Sequence, residues 1–183
     1  MAGNIDIKKA KTELRKTVKS RLAAIASHQF AAAGKKAAGE LVRLSRWNEF
    51  RSVLVFISMK DEIDTRPIIS AAFDSGKSVF APGTGTDEPA FYQIGQNGGH
   101  AGGVLKPEHF PALVITPGLA FDRTLNRLGR GSSFYDRFFA ALDASERDYT
   151  ALALCLDCQL FDEVPSDAWD KKPDLLLAES GFI

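Results

Sequence analysis

The chain has little of what several large classes of protein depend on. It holds two cysteines in 183 residues, too few for a disulfide framework. They sit together as Cys155-Leu156-Asp157-Cys158 at the end of an apolar run, where a redox pair would be expected at a helix start and a zinc site would need further ligands. Both read as reduced and structural. No charge excess exists either: 23 Lys and Arg balance 23 Asp and Glu, so no overall field draws nucleic acid or an anionic membrane. No apolar run approaches the ~20 residues that cross a bilayer, and the N-terminus is charged and amphipathic, without a signal peptide's apolar stretch. The expectation is a cytoplasmic protein whose partners are small molecules. The three histidines, His28, His100 and His109, show neither metal spacing nor a nucleophile partner. Internal repeats and low-complexity tracts are missing.

What is present is a composition that builds a core, with 45% hydrophobic residues, in a chain of the length of one ordinary domain, here expected over residues 1–183. Leu14, Val18, Leu22 and Ile25 recur at helical spacing, and Lys11, Arg15 and Lys19 recur every four residues on an adjacent stripe, which predicts one long N-terminal helix carrying both faces. An alanine-rich helix is predicted over 29–44, with Ser27 as a cap. Further helices are expected around 66–73 and 134–142. The runs 53–57, 113–115, 151–154 and 175–177 are continuously apolar rather than alternating, as strands covered on both faces are. The sum is an α/β domain, a largely parallel sheet flanked by helices, with its site at the carboxyl ends of strands. Residues 82–103 read differently: glycine-rich stretches bracket the short strand-like run 90–94, as hairpin connections or as a flap over the site.

The most informative stretch is Pro117-Gly118-Leu119-Ala120-Phe121-Asp122, followed by Arg127-Leu128-Gly129-Arg130-Gly131-Ser132-Ser133-Phe134-Tyr135-Asp136. It joins an apolar strand to a cationic, glycine-bearing loop and then to a helix. Gly129 and Gly131 let backbone amides approach an anion, Arg127 and Arg130 supply charge, and the helix beginning near Ser132 points its positive end into the same space. Such a loop is also compatible with a plain structural turn. It is neither a dinucleotide fingerprint, since Phe134 occupies the last glycine's place, nor a Walker A element, since no Gly-Lys-Ser/Thr follows.

These residues resemble the signature of the 5-formyltetrahydrofolate cyclo-ligases, also called methenyltetrahydrofolate synthetases, which reads Pro-Gly-x-Ala-Phe-Asp and then Arg-Leu-Gly-x-Gly-x-Gly-x-Tyr-Asp. Further matches are spread along the chain: Lys11-Thr12-Glu13-Leu14-Arg15, Ser58-Met59-Lys60-Asp61-Glu62-Ile63-Asp64-Thr65, Gln159, Val164-Pro165, Asp170 and Glu179. Departures are Ser133 for the third loop glycine, Leu125 for a glycine two residues before Arg127, Lys106 for a glutamate, and Trp169 for a histidine before Asp170.

The resemblance implies ATP-dependent cyclisation of 5-formyltetrahydrofolate to 5,10-methenyltetrahydrofolate, with ADP and phosphate released through a phosphorylated formyl intermediate. It implies that Lys11, Arg15, Arg127, Gly129, Arg130, Gly131, Ser132, Ser133 and Phe134 bind ATP, with Arg130 and Tyr135 catalytic. Ile57, Met59, Glu62 and Tyr135 would contact the folate, and Asp136 and Asp170 would hold Mg²⁺ in a monomeric enzyme. Other roles are open from the residues alone: a helix-surface carboxylate for Asp136, a turn cap for Asp170, strand core for Ile57, ordinary packing for Tyr135. The departures also admit a non-catalytic folate- or nucleotide-binding paralogue.

Overall fold

A computed structural model describes residues 2–83 and 88–183; residues 84–87, part of the glycine-rich stretch before the 90–94 run, lie outside the described residues. In chain order the elements are α1 (Ala2–Ala23), α2 (Ser27–Leu41), β1 (Ser52–Val55), α3 (Arg66–Asp74), β2 (Ser78–Pro82), β3 (Phe91–Ile94), β4 (His100–Val104) and β5 (Ala112–Thr116). A short ribbon follows, β6 (Ala120–Phe121) with β7 (Arg127–Leu128), then α4 (Phe134–Ala144), β8 (Tyr149–Cys155), β9 (Leu175–Ala178) and β10 (Gly181–Phe182). One eight-stranded sheet runs β10-β9-β8-β5-β1-β2-β3-β4. The pairings from β9 through β8, β5 and β1 to β2 are parallel, and β10–β9, β2–β3 and β3–β4 are antiparallel.

The continuous apolar runs are the strands covered on both faces. Alternate residues of β1 and β5 divide between two cores. Val53, Val55, Leu113 and Ile115 pack with Phe30 and Leu41 of α2 and Ile68 of α3, and with Val18 and Leu22 of α1. Leu54, Ala112 and Val114 pack on the opposite face with Tyr135, Phe138, Phe139 and Leu142 of α4. The period-2 alternation of strand side chains makes both faces apolar at once.

Two local expectations need correction. Ser27 is the first residue of α2 rather than its cap; Ala26 holds the cap position in an extended conformation, and its N–H donates to Gln29 Oε1 at 3.1 Å. The helix also ends at Leu41 rather than residue 44, where the chain turns toward the buried Trp47. Gly34 lets α2 lie against the backbone at Asp64, since a Cβ there would stand 2.0 Å from the Asp64 carbonyl oxygen. Residues 82–103 do contain a hairpin, β3–β4, added antiparallel to β2. Cys155 ends β8 and Cys158 follows it, both free thiols, with burial pushing each pKa up.

The topology fixes where a ligand can sit. From the central β1 the chain moves through α3 to β2, β3 and β4, then returns to β5 on the other side of β1 and continues through α4 on the opposite face to β8. The loops leaving β1 and β5 therefore diverge, and a crevice opens at their carboxyl ends, the switch point of an open α/β sheet.

Candidate active site

A cavity of about 580 Å³ occupies that crevice, floored by Phe56 and Ile57 after β1, Pro82 and Gly83 at the end of β2, and Pro117 and Gly118 after β5. The cationic bend forms one wall through Arg127, Gly129, Arg130, Gly131, Ser132, Ser133 and Phe134, continuing into Tyr135 and Asp136 of α4. Lys11 and Arg15 reach it from α1, Met59 and Glu62 from the loop after β1, and Asp170 from the segment before β9. The structure thus brings together every residue predicted from the sequence as a ligand contact.

The bend is held from below by Asp122, a buried carboxylate. Its Oδ1 accepts hydrogen bonds from Thr124 N, Thr124 Oγ1 and Asn126 N, and its Oδ2 accepts from Asn126 Nδ2 and Val164 N. Burial opposes the charged form, but these donors together outweigh it and hold the carboxyl below the usual aspartate range. Gln159, also buried, donates through Nε2 to the Gly118 and Leu119 carbonyls. Asp122 and Gln159 are therefore scaffold, tying the apolar strand end and the loop before β9 to one frame.

The bend itself is strained at the two places where this sequence departs from the family's glycines. Leu125 has φ 64° and Ser133 φ 52°, both in the left-handed region, beside Gly131 at φ 113°. A side chain in that region costs roughly 1–2 kcal/mol, against a smaller cost for the greater freedom of glycine in the unfolded chain. Ser133→Gly is accordingly expected to raise the unfolding free energy by about 0.5–1 kcal/mol, read as a rise of about 1–3 °C in melting temperature. An unchanged or lowered melting temperature contradicts the strain.

Lys11 and Arg130 at the cavity have internal counter-charges, and Arg15 has a backbone carbonyl. Lys11 Nζ donates to Asp167 Oδ2 at 2.6 Å and Asp170 Oδ2 at 2.5 Å. Burial works against the ammonium, yet the two carboxylates outweigh it and raise its pKa above the ordinary lysine value. Arg15 Nε donates to the Gly129 carbonyl at 2.9 Å, fastening α1 to the bend. Arg130 donates to Asp61 Oδ1 at 2.9 Å and to Glu62 Oε1 at 3.1 Å; against the pull of burial, these acids raise the guanidinium pKa further. Glu62 Oε2 also accepts from Met59 N at 2.9 Å.

Arg127 and Tyr135 differ from the rest. The Arg127 side chain is 5% exposed, and its Nη2 donates to Asp136 Oδ1 at 2.7 Å. Among the described residues its Nε has no partner, nor has the hydroxyl of Tyr135, a residue 7% exposed. Tyr135's ring packs in the α4 core, with the Arg127 guanidinium 5.8 Å from its centroid, and burial pushes the phenol pKa up. Packing and ligand contact are both available to it. Ile57, by contrast, lies beyond the end of β1 and is 53% exposed, so the strand expected over 53–57 stops short of it and it is no core residue. Asp136 is an ion-pair partner of Arg127 rather than a solvated carboxylate on the helix surface. Asp170 does cap a turn, its Oδ2 accepting from Asp167 N at 2.7 Å.

The model of the 5-formyltetrahydrofolate cyclo-ligase family matches residues 7–179. The chain belongs to that family. Among its relatives, a Mus musculus 5-formyltetrahydrofolate cyclo-ligase is 28% identical over 199 residues, covering 96% of each chain. A Schizosaccharomyces pombe protein named "Probable 5-formyltetrahydrofolate cyclo-ligase" is 29% identical over 197 residues, covering 94% of this chain and 97% of its own. In fold, the chain is similar to the Aquifex aeolicus 5,10-methenyltetrahydrofolate synthetase, with a TM-score of 0.76 at 24% identity over 94% of this chain and 91% of that one. Among the described residues no helix is long and apolar enough to cross a membrane. Within this family frame, the sequence carries no local signal for Phe56 or Pro82, which reach the cavity only because their strands end side by side, nor for Asp167 as the second partner of Lys11.

Proposed function

We propose that this member of the family catalyses the ATP-dependent cyclisation of 5-formyltetrahydrofolate to 5,10-methenyltetrahydrofolate, releasing ADP and phosphate through a phosphorylated formyl intermediate. The observation that carries this reading is the meeting, in one cavity, of a cationic bend at a helix N-terminus with an apolar and acidic wall of Ile57, Met59 and Glu62. The first wall suits a triphosphate and the second a flat, nitrogen-rich ring.

The bend's amides, Arg127 and Arg130, with Lys11 and Arg15 from α1, position the triphosphate and neutralise its charge, which is most of what phosphoryl transfer asks of a protein. Ser132, Ser133 and Phe134 set the helix N-terminus against it. Glu62 accepts hydrogen bonds from pterin N–H groups while Ile57 and Met59 pack on the ring. The formamide oxygen then attacks the γ-phosphorus and the bond to ADP breaks. N10 attacks the activated carbon, the carbon–oxygen bond breaks with phosphate as the leaving group, and N10 gives up its proton. Tyr135 donates a hydrogen bond to that oxygen as the carbon–oxygen bond breaks and negative charge develops on the departing phosphate. Since Arg130 and Glu62 hold each other in this structure, nucleotide and folate binding each take one partner from that pair.

Asp136 and Asp170 supply hard oxygen ligands to the cavity, and no cluster of three or more His, Cys, Asp or Glu that could cage an ion occurs among the described residues. That set fits Mg²⁺, which takes one or two carboxylates and completes its shell with water and substrate phosphates. Asp136 and Asp170 would hold it, and bound there it would neutralise phosphate charge.

Mixing purified protein, Mg-ATP and 5-formyltetrahydrofolate tests the reading: the near-ultraviolet absorbance of the methenyl product is expected to grow only when ATP is present. Protein that binds both ligands yet forms no product overturns it, and establishes the binding paralogue instead. The chain is read as a monomeric, cytoplasmic enzyme over residues 1–183.

A further inference from the structure

The three most exposed large apolar side chains among the described residues are Trp169 at 63%, Met59 at 55% and Ile57 at 53%, and all three line the same cavity. Met59 and Ile57 have a place on the folate wall. Trp169 has none there, and it stands where the family signature has histidine.

The backbone that follows Trp169 is anchored at several points. The next residue, Asp170, is held by Lys11 Nζ and by Asp167 N. On the far side of Asp170, Lys171 N donates to Asp136 Oδ1 at 3.2 Å, and Lys171 Nζ to Asp143 Oδ2 at 2.7 Å. The backbone that carries the indole is thus tied to α1 on one side and α4 on the other. Lys11 and Asp136 are both assigned to the triphosphate and its metal, so the indole lies at the nucleotide end of the cavity. An aromatic face that is open to water, on a pinned support beside a polyanion site, is a platform for a planar base.

We propose that Trp169 stacks on the base of the bound nucleoside triphosphate and sets how strongly the enzyme distinguishes a nucleotide from a bare phosphate chain. The inference rests on the ATP-dependent reading. Trp169 contributes affinity through the base alone, while the cationic bend contributes it through the phosphates.

Calorimetric titration of the full-length chain with Mg-ATP and with magnesium tripolyphosphate separates the two. Trp169→Leu is expected to weaken Mg-ATP at least about tenfold, Trp169→Phe to restore it to within about threefold, and tripolyphosphate affinity to change less than about twofold in either variant. Because Trp169 is exposed, neither change endangers folding. Indole emission gives a second readout, since the only other tryptophan, Trp47, is buried with its Nε1 bonded to Ser75 Oγ. Quenching by ATP, but not by tripolyphosphate, is expected in the parent and lost in Trp169→Leu. Equal ATP affinity in Trp169→Leu and the parent overturns the inference, as does a loss shared equally by both ligands. A parent protein that binds no Mg-ATP overturns the underlying reading as well.

Discussion

Arg127→Met is expected to lower kcat/KM for ATP by about a thousandfold, equivalent to about 4 kcal/mol of transition-state stabilisation. The guanidinium is buried, keeps one carboxylate partner in Asp136 and, among the described residues, leaves Nε unpaired. A buried cation with spare donor capacity beside a helix N-terminus is arranged for an anion that arrives with the ligand. Methionine fills much of the same space, and Asp136, at 23% side-chain exposure, reaches enough water to limit the cost of losing its partner to roughly 1–2 kcal/mol. Arg127→Lys keeps the charge but loses the planar fork, and only partial recovery is expected from it. Steady-state kinetics alongside thermal unfolding read both effects; full activity in Arg127→Met removes Arg127 from the phosphate site.

Tyr135→Phe is expected to behave in the opposite way on stability. Its hydroxyl is buried without a partner among the described residues, and such a group costs on the order of 1 kcal/mol or more. The phenylalanine variant should therefore unfold at the same temperature or slightly higher, yet lose about 100-fold in kcat, the scale of one removed donor to a developing negative oxygen. A drop in stability with turnover intact would mark Tyr135 as a core residue only.

Much of this architecture is legible in the chain because burial on both faces writes itself as unbroken apolar runs, and β1, β5, β8 and β9 fall on them. β2 is less so: Lys77 precedes it and proline ends it, although Val79, Phe80 and Ala81 are buried. β4 is less so still, since His100-Ala101-Gly102-Gly103-Val104 is a largely exposed edge strand whose one strand neighbour among the described residues is β3. The site residues are readable because the bend is continuous in sequence. Their pairings are not. Arg130 with Glu62, Arg15 with the Gly129 carbonyl and Lys11 with Asp170 are separated by 68, 114 and 159 residues, and nothing local encodes such contacts. Whether Ser133 takes a left-handed backbone is likewise decided by how the bend meets α4, which no local pattern specifies.

Transfer of a phosphoryl group from ATP to the formyl oxygen, inside this cavity, is the step on which every assigned role depends. Supplying 5-formyltetrahydrofolate with ¹⁸O in its formyl group and analysing the released phosphate by mass spectrometry tests it directly. One ¹⁸O is expected in each phosphate formed together with methenyl product; ¹⁸O found in water, with unlabelled phosphate, would contradict it.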